Sequence, residues 1–165
     1  MSDGIGFDEL LAFLRDSPFF QGFEPGDLMP LLEIVQVRDV PAGKALFAQG
    51  DLADAFYVVY RGVVRIDRTR EDGSTWTLGR CETHACFGEQ AIIEAVPRSA
   101  SAIMAEAGVV LRFPSSKFER LLATGNRTAV KLVLQLARTT SAYLRERTAL
   151  LERLGAATGA TLDPI

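Results

Sequence analysis

Apolar side chains at Phe7, Leu10, Leu11 and Leu14 return at helical spacing, so the chain is predicted to open on a short amphipathic helix. Pro25 stands near the start of a second helix, where its missing N–H costs little, and that helix is predicted to reach about Val35. Asp39-Val40-Pro41-Ala42-Gly43 then breaks the pattern and marks a turn. From there to about Phe113 the pattern changes to short β-branched and aromatic runs separated by Gly, Asp and Pro. Phe56 to Tyr60, Val63 to Ile66, Trp76 to Leu78, Ser101 to Met104 and Val109 to Phe113 are the clearest strands. Glu71-Asp72-Gly73-Ser74 signals a hairpin turn, with Gly73 supplying a positive φ. Many short strands with frequent turns predict a barrel or a double-sheet roll, and composition alone does not choose between them.

After Pro114, Ser115-Ser116-Lys117-Phe118-Glu119 reads as a helix start with a capping serine. That helix ends near Gly125-Asn126, and a long one follows to about Leu154, with Gly155 as its stop. Two overlapping apolar series run along it. One comprises Leu136, Tyr143, Leu150 and Leu154; the other comprises Val130, Leu134, Ala137, Leu144 and Leu151. So wide a stripe is expected to pack both on its own barrel and on a second surface. The chain therefore divides into helices over 6–35, a β-roll over 37–113, helices over 115–154 and an aperiodic, frayed tail over 156–165.

At 165 residues the chain is long enough for one domain with a real core. No apolar run approaches the roughly 18 residues that span a bilayer, and Met1-Ser2-Asp3-Gly4 lacks a secretion-signal layout, so a cytoplasmic protein is expected. A formal charge of −3 argues against nucleic acid as a partner of the whole chain. The cluster Arg138, Arg145 and Arg147 reads as a solvated helix face. Cys81 and Cys86 bracket His84, the only histidine, but closed structural zinc sites use four ligands. Reduced cysteines and no metal are expected.

The chemistry concentrates between Phe87 and Ser101. Gly88-Glu89 opens a short apolar, helix-compatible run, and Arg98-Ser99-Ala100 begins nine residues after Glu89. This supplies a carboxylate for hydroxyls, a guanidinium for a phosphate and bare backbone N–H groups between them. The stretch resembles the phosphate-binding cassette of cyclic nucleotide-binding domains, the family of catabolite activator proteins, protein kinase A regulatory subunits and cyclic nucleotide-gated channels. Pro41 to Asp51 and Ala55 to Val64 match that family's strand-and-turn pattern in order and spacing, and the likeness extends from about Phe13 to Leu122. It implies a mainly-β fold, a jelly-roll-like antiparallel β-barrel flanked by N-terminal helices and a long C-terminal helix.

The resemblance also implies roles. Arg98 would pair with the exocyclic oxygens of a cyclic phosphate, where a planar guanidinium meets two oxygens at once. Glu89 would accept from the ribose 2′-hydroxyl, and Gly88 would permit close backbone approach. The first turn of Gln90 to Ala95, with Gln90 and Ala91, would present free N–H groups, and Ser99 and Ala100 would add donors across the phosphate. Ile92 and Ile93 would anchor the cassette to the barrel. Ile66, Leu78 and Cys81 fall where side chains line sugar and base. Tyr143 falls where the long helix approaches the base, or is a core aromatic between helix and barrel. Ser99 could also meet a guanine, so cAMP is favoured over cGMP only modestly. His84 departs from the family, standing where a turn glycine is usual, and Gln90 replaces a more frequent apolar residue.

No nucleophile–base pair accompanies the lone histidine, so a receptor without catalysis is expected. A metal-dependent cupin-like enzyme would need several histidines. The family's transcription factors carry a helix-turn-helix after the long helix, and only a short stretch follows it here, so direct DNA binding is not expected. Three readings follow. The first is a stand-alone cyclic nucleotide receptor that signals through its C-terminal helices to a protein partner or by dimerising through 126–154. The second is a barrel that has lost its ligand and serves as an interaction module. The third is the sensor piece of a larger regulator.

Overall fold

The computed structural model describes residues 4–94 and 96–158. The chain begins with α1 (Phe7–Asp16), a 3-10 turn (Pro18–Phe20) and α2 (Pro25–Ile34). Next come β1 (Gln36–Val40), β2 (Ala45–Phe47), β3 (Ala55–Thr69), β4 (Thr75–Cys81) and β5 (Cys86–Phe87). A single helical turn, α3 (Gln90–Ile93), precedes β6 (Ser101–Pro114), and α4 (Ser115–Ala123) and α5 (Arg127–Thr158) complete the described chain. All six strands join one antiparallel sheet in the order β1-β6-β3-β4, with β2 added to β6 and β5 to β3. This is the expected roll with flanking helices, although α5, at 32 residues against 15 for β3, makes the fold more helical than "mainly β" conveys.

The pattern divides β3 and β6 into four strands; the structure has two long ones that bend while staying paired. Gly62 and Gly108 explain this. Gly62 has φ +92°, and a Cβ there would lie 3.0 Å from the backbone of Ala107 and Gly108. A Cβ on Gly108 would lie 2.0 Å from the Arg61 carbonyl oxygen. The glycines that read as breaks let the two strands touch where their register shifts, between Val59 and Val64. Similarly, Asp39 and Val40 extend β1, opposite Val109 and Gly108, and the turn is confined to the residues after them.

Alternation along β3 divides the core in two. Phe56 and Val58 turn outward with Leu111 and Phe113, meeting Leu14, Phe20, Leu28, Leu31, Phe118, Leu132 and Leu136 from the helices. Ala55, Tyr57 and Val59 turn into the roll with Val64, Phe87, Ala102, Met104 and Val110. Asp27 fastens α2 to α5: its buried carboxylate takes a hydrogen-bonded ion pair from Lys131 and lies 3.6 Å from Arg127 Nε. The Lys131 hydrogen bond holds its pKa below the ordinary value of 3.8, against the opposing pull of burial.

Two helix-end expectations need correction. Ser115 does not cap α4. Pro114 ends β6 in extended backbone and is itself the cap position, so Ser115 becomes the first helical residue and gives its N–H to the Asp54 carbonyl. Gly155 does not stop α5, which runs on to Thr158; Gly155 is absent from the positive-φ glycines, so no left-handed cap forms. The tail expected over 156–165 lies, from residue 159, outside the described residues.

Candidate functional site

Arg98 is the most buried charge of the cassette, with 5% of its surface exposed. Its Nη1 donates to the Gly88 carbonyl at 3.0 Å and its Nη2 to the Ala55 carbonyl at 2.6 Å. The guanidinium carbon stands 4.0 Å above the centre of the Phe47 ring, a cation–π contact, while the buried Nε has no hydrogen-bond partner among the described residues. Asp54 approaches only to 3.6 Å, is 63% exposed, and lies closer to Arg112, at 2.6 Å. Burial lowers the Arg98 pKa, and the nearby Tyr57 and Asp54 oppose that shift without cancelling it. A buried cation held by carbonyl dipoles, a ring face and one loose, solvated carboxylate is an unbalanced charge, and an anion would balance it.

Gly88 is required here twice. Its φ is +70°, and a Cβ would come within 2.9 Å of Arg98 Nη1. Glu89 follows, half-buried, as the residue before α3. Among the described residues no hydrogen bond or ion pair to its carboxylate is found, so its oxygens are available as acceptors. Its charge is felt at both cysteines: burial first, and Glu89 second, push the Cys81 thiol up to about 11 and the Cys86 thiol well above its ordinary value. Both thiols are therefore protonated at neutral pH and poor nucleophiles.

The backbone donors differ in part from expectation. The N–H groups of Glu89, Gln90, Ser99 and Ala100 have no backbone partner among the described residues. That of Ala91 is taken by the Gly88 carbonyl at 3.2 Å, because one helical turn closes its first bond there; Ala91 contributes a buried methyl instead. Ile92 anchors the cassette against the helix-side core as expected, but Ile93 is 52% exposed and anchors nothing. Ser99 is exposed and Ala100 buried. Ile66 and Cys81 are half-buried against the inner core, and Leu78, on β4, is 53% exposed.

Residues 37–124, just over half the chain, match the sequence model of the cyclic nucleotide-binding domain. The chain belongs to that family. It is 39% identical over 93 residues to the "Cyclic AMP receptor protein" of Thermus thermophilus, an alignment covering 56% of this chain and 43% of the relative. The chain thus spans less than half the length of such curated relatives. Among solved structures it resembles the catabolite activator protein of Thermus thermophilus, with a TM-score of 0.74 and 33% identity over 84% of this chain and 63% of that one. A cyclic nucleotide-binding domain from Methylobacillus flagellatus KT superposes with a TM-score of 0.76 over 96% of this chain and 86% of that one; at 22% identity it speaks for the fold alone.

For a cyclic nucleotide-binding domain, His84 is the local anomaly, and the structure resolves it. His84 has φ +71°, the left-handed backbone that a turn glycine would take, and is the only non-glycine described with a positive φ. Its ring stacks on Phe13 at 4.3 Å, and its backbone N–H donates to the Val59 carbonyl at 2.8 Å. The histidine takes the backbone conformation a glycine would, and its packing on Phe13 offsets the cost.

Tyr143 is not brought to the other site residues. It is 53% exposed, with the Arg147 guanidinium 4.7 Å above its ring. It is therefore not a core aromatic either. Of the two apolar series on α5 only Leu136 is buried, and every residue from Ala137 to Leu154 is exposed, because the helix continues beyond the body it packs on. Among the described residues no helix is long and apolar enough to cross a membrane.

Phe47 and Asp54 carry no mark of a site in the sequence. Phe47 sits in the matched block Pro41 to Asp51, and Asp54 lies just before β3. Only the fold reveals that both touch a guanidinium more than forty positions away.

Proposed function

We propose that this chain is a receptor for a cyclic nucleotide, cAMP ahead of cGMP by a modest margin. The observation that supports this best is Arg98, a buried guanidinium whose Nε has no partner among the described residues and whose ion pair with Asp54 is loose. A cyclic phosphate would meet that charge and draw on the free N–H groups of Glu89, Gln90, Ser99 and Ala100. The Glu89 carboxylate accepts from the 2′-hydroxyl, which separates ribonucleotides from deoxy analogues. Ile66, Leu78 and Cys81 form the apolar wall for sugar and base.

The signal leaves through the helices. α3 touches α4, and α4 touches α5 across Gly125, whose φ of +67° marks the joint. Ligand that favours one setting of α3 shifts α4, and with it the direction of α5. The exposed stretch of α5 carries Tyr143, Leu144, Leu150 and Leu151 to a second copy of the chain or to an effector protein, and Tyr143 reaches a base only in such an assembly. No catalytic step is assigned to the chain.

The second reading, an interaction module without ligand, draws on the two carbonyls that already occupy Arg98 Nη1 and Nη2. Calorimetric titration with cAMP and cGMP separates the two. The receptor reading predicts saturable heat with the native chain and a loss of roughly 30-fold or more in affinity for Arg98→Ala, since removing a buried charge partner costs about 2–5 kcal/mol. No heat with either nucleotide at high micromolar concentration would favour the module.

A further inference from the structure

A concavity of about 680 Å³ lies on the β3–β4 hairpin, lined by Gln49, Arg68, Arg70, Trp76 and Leu78 among others. Strand alternation places it on the same side as the inner wall of the roll. Ile66 faces that wall, Arg68 shares its side two residues on, and Trp76 is paired directly opposite Arg68. Leu78 lies between them at the bulge where the β3–β4 register shifts, so the concavity shares Leu78 with the expected sugar-and-base wall.

Trp76 has no place in the core. It is 52% exposed, with the Arg70 guanidinium stacked 3.3 Å from its ring centre. That stack fixes the ring while leaving half of the side chain open. Gln49 braces the whole arrangement: its side-chain amide donates to the Thr69 carbonyl at 3.0 Å and accepts from the Thr69 N–H at 2.8 Å. The next residue, Gly50, donates to the carbonyl of Arg98 at 2.8 Å. The loop that positions the phosphate-facing arginine therefore also holds the hairpin bearing the tryptophan.

We infer that Trp76 is the aromatic platform on which the base of the bound nucleotide stacks, beyond Leu78 from the cassette. The inference rests on the receptor reading above and adds the base contact that Tyr143 does not supply within one chain. Stacking on an aromatic face tolerates any base, so Trp76 contributes affinity and leaves the choice between adenine and guanine to other groups.

Trp76 is the only tryptophan among 165 residues, so intrinsic emission reports on this position alone. The test pairs calorimetry with tryptophan emission during titration of the native chain with cAMP and with cGMP, and repeats the calorimetry on Trp76→Ala and Trp76→Phe. The expected result is an emission change that saturates together with the heat. Trp76→Ala should bind both nucleotides about ten-fold more weakly with their affinity ratio unchanged, and Trp76→Phe within about three-fold of native. Melting temperatures without nucleotide should match for all three, as the ring is outside the core. Heat from the native chain with no emission change, or with Trp76→Ala as tight as native, overturns the stacking role and leaves the receptor reading intact. No heat from either nucleotide overturns the receptor reading, and this inference falls with it.

Discussion

The two faces of β3 have different occupations. Phe56 and Val58 look outward into a dense core of aromatic and leucine side chains drawn from four helices and the 3-10 turn. Ala55, Tyr57 and Val59, one position away on each side, look into a roll whose smaller core borders a buried arginine and, among the described residues, N–H groups without backbone partners. The outer face holds the molecule together by apolar burial; the inner face keeps polar groups in reserve. A two-residue period thus places stability and recognition back to back on one strand, and substitutions should separate them.

The largest separation is expected from Phe113→Ala. Its ring is fully buried and stacks on Phe56 at 4.5 Å, so truncation should cost about 3–5 kcal/mol of folding stability in chemical denaturation. The fraction that remains folded should bind nucleotide as before. Glu89→Gln inverts this pattern: little change in stability, but the preference for cAMP over 2′-deoxy-cAMP should fall about ten-fold or more, because a site built around a hydroxyl penalises its absence. A preference that survives the substitution would remove Glu89 from ribose recognition.

A smaller effect belongs to the helix side. The Asp27 pKa is depressed, so its pair with Lys131 contributes fully above the ordinary carboxylate value and is lost as pH falls through the lowered one. Stability of the native chain should therefore decline below about pH 4 more steeply than that of Asp27→Asn, with nucleotide affinity at neutral pH equal in the two. Parallel acid curves would deny Asp27 this role.

Where the sequence was legible, one local physical rule governed the outcome. Phe7, Leu10 and Leu14 repeat with helical period, and a helix forms there. Gly73 supplies the positive φ its hairpin needs. Gly88 and Arg98 meet because the strands on either side of the cassette, β5 and β6, both pair with β3. The failures arise where a residue's role depends on something distant. Gly62 and Gly108 look like breaks until each is seen as space for the other. Ser115 fails as a cap because Pro114 takes that position. Ala91 loses its free N–H to Gly88, within a helix too short for its period to show. The stripe on α5 is real, but its pattern does not tell that, of the buried core, α5 supplies only Ala129, Leu132 and Leu136 from its first turns. Phe47 and Asp54 lie far from Arg98 in sequence, and only the fold sets them beside it.

The most direct test of the account is a crystal structure of the chain with cAMP. It predicts the cyclic phosphate against the Arg98 guanidinium, with the 2′-hydroxyl on Glu89. A nucleotide bound elsewhere, with Arg98 still donating to the Gly88 and Ala55 carbonyls and its Nε enclosed by protein, would contradict it.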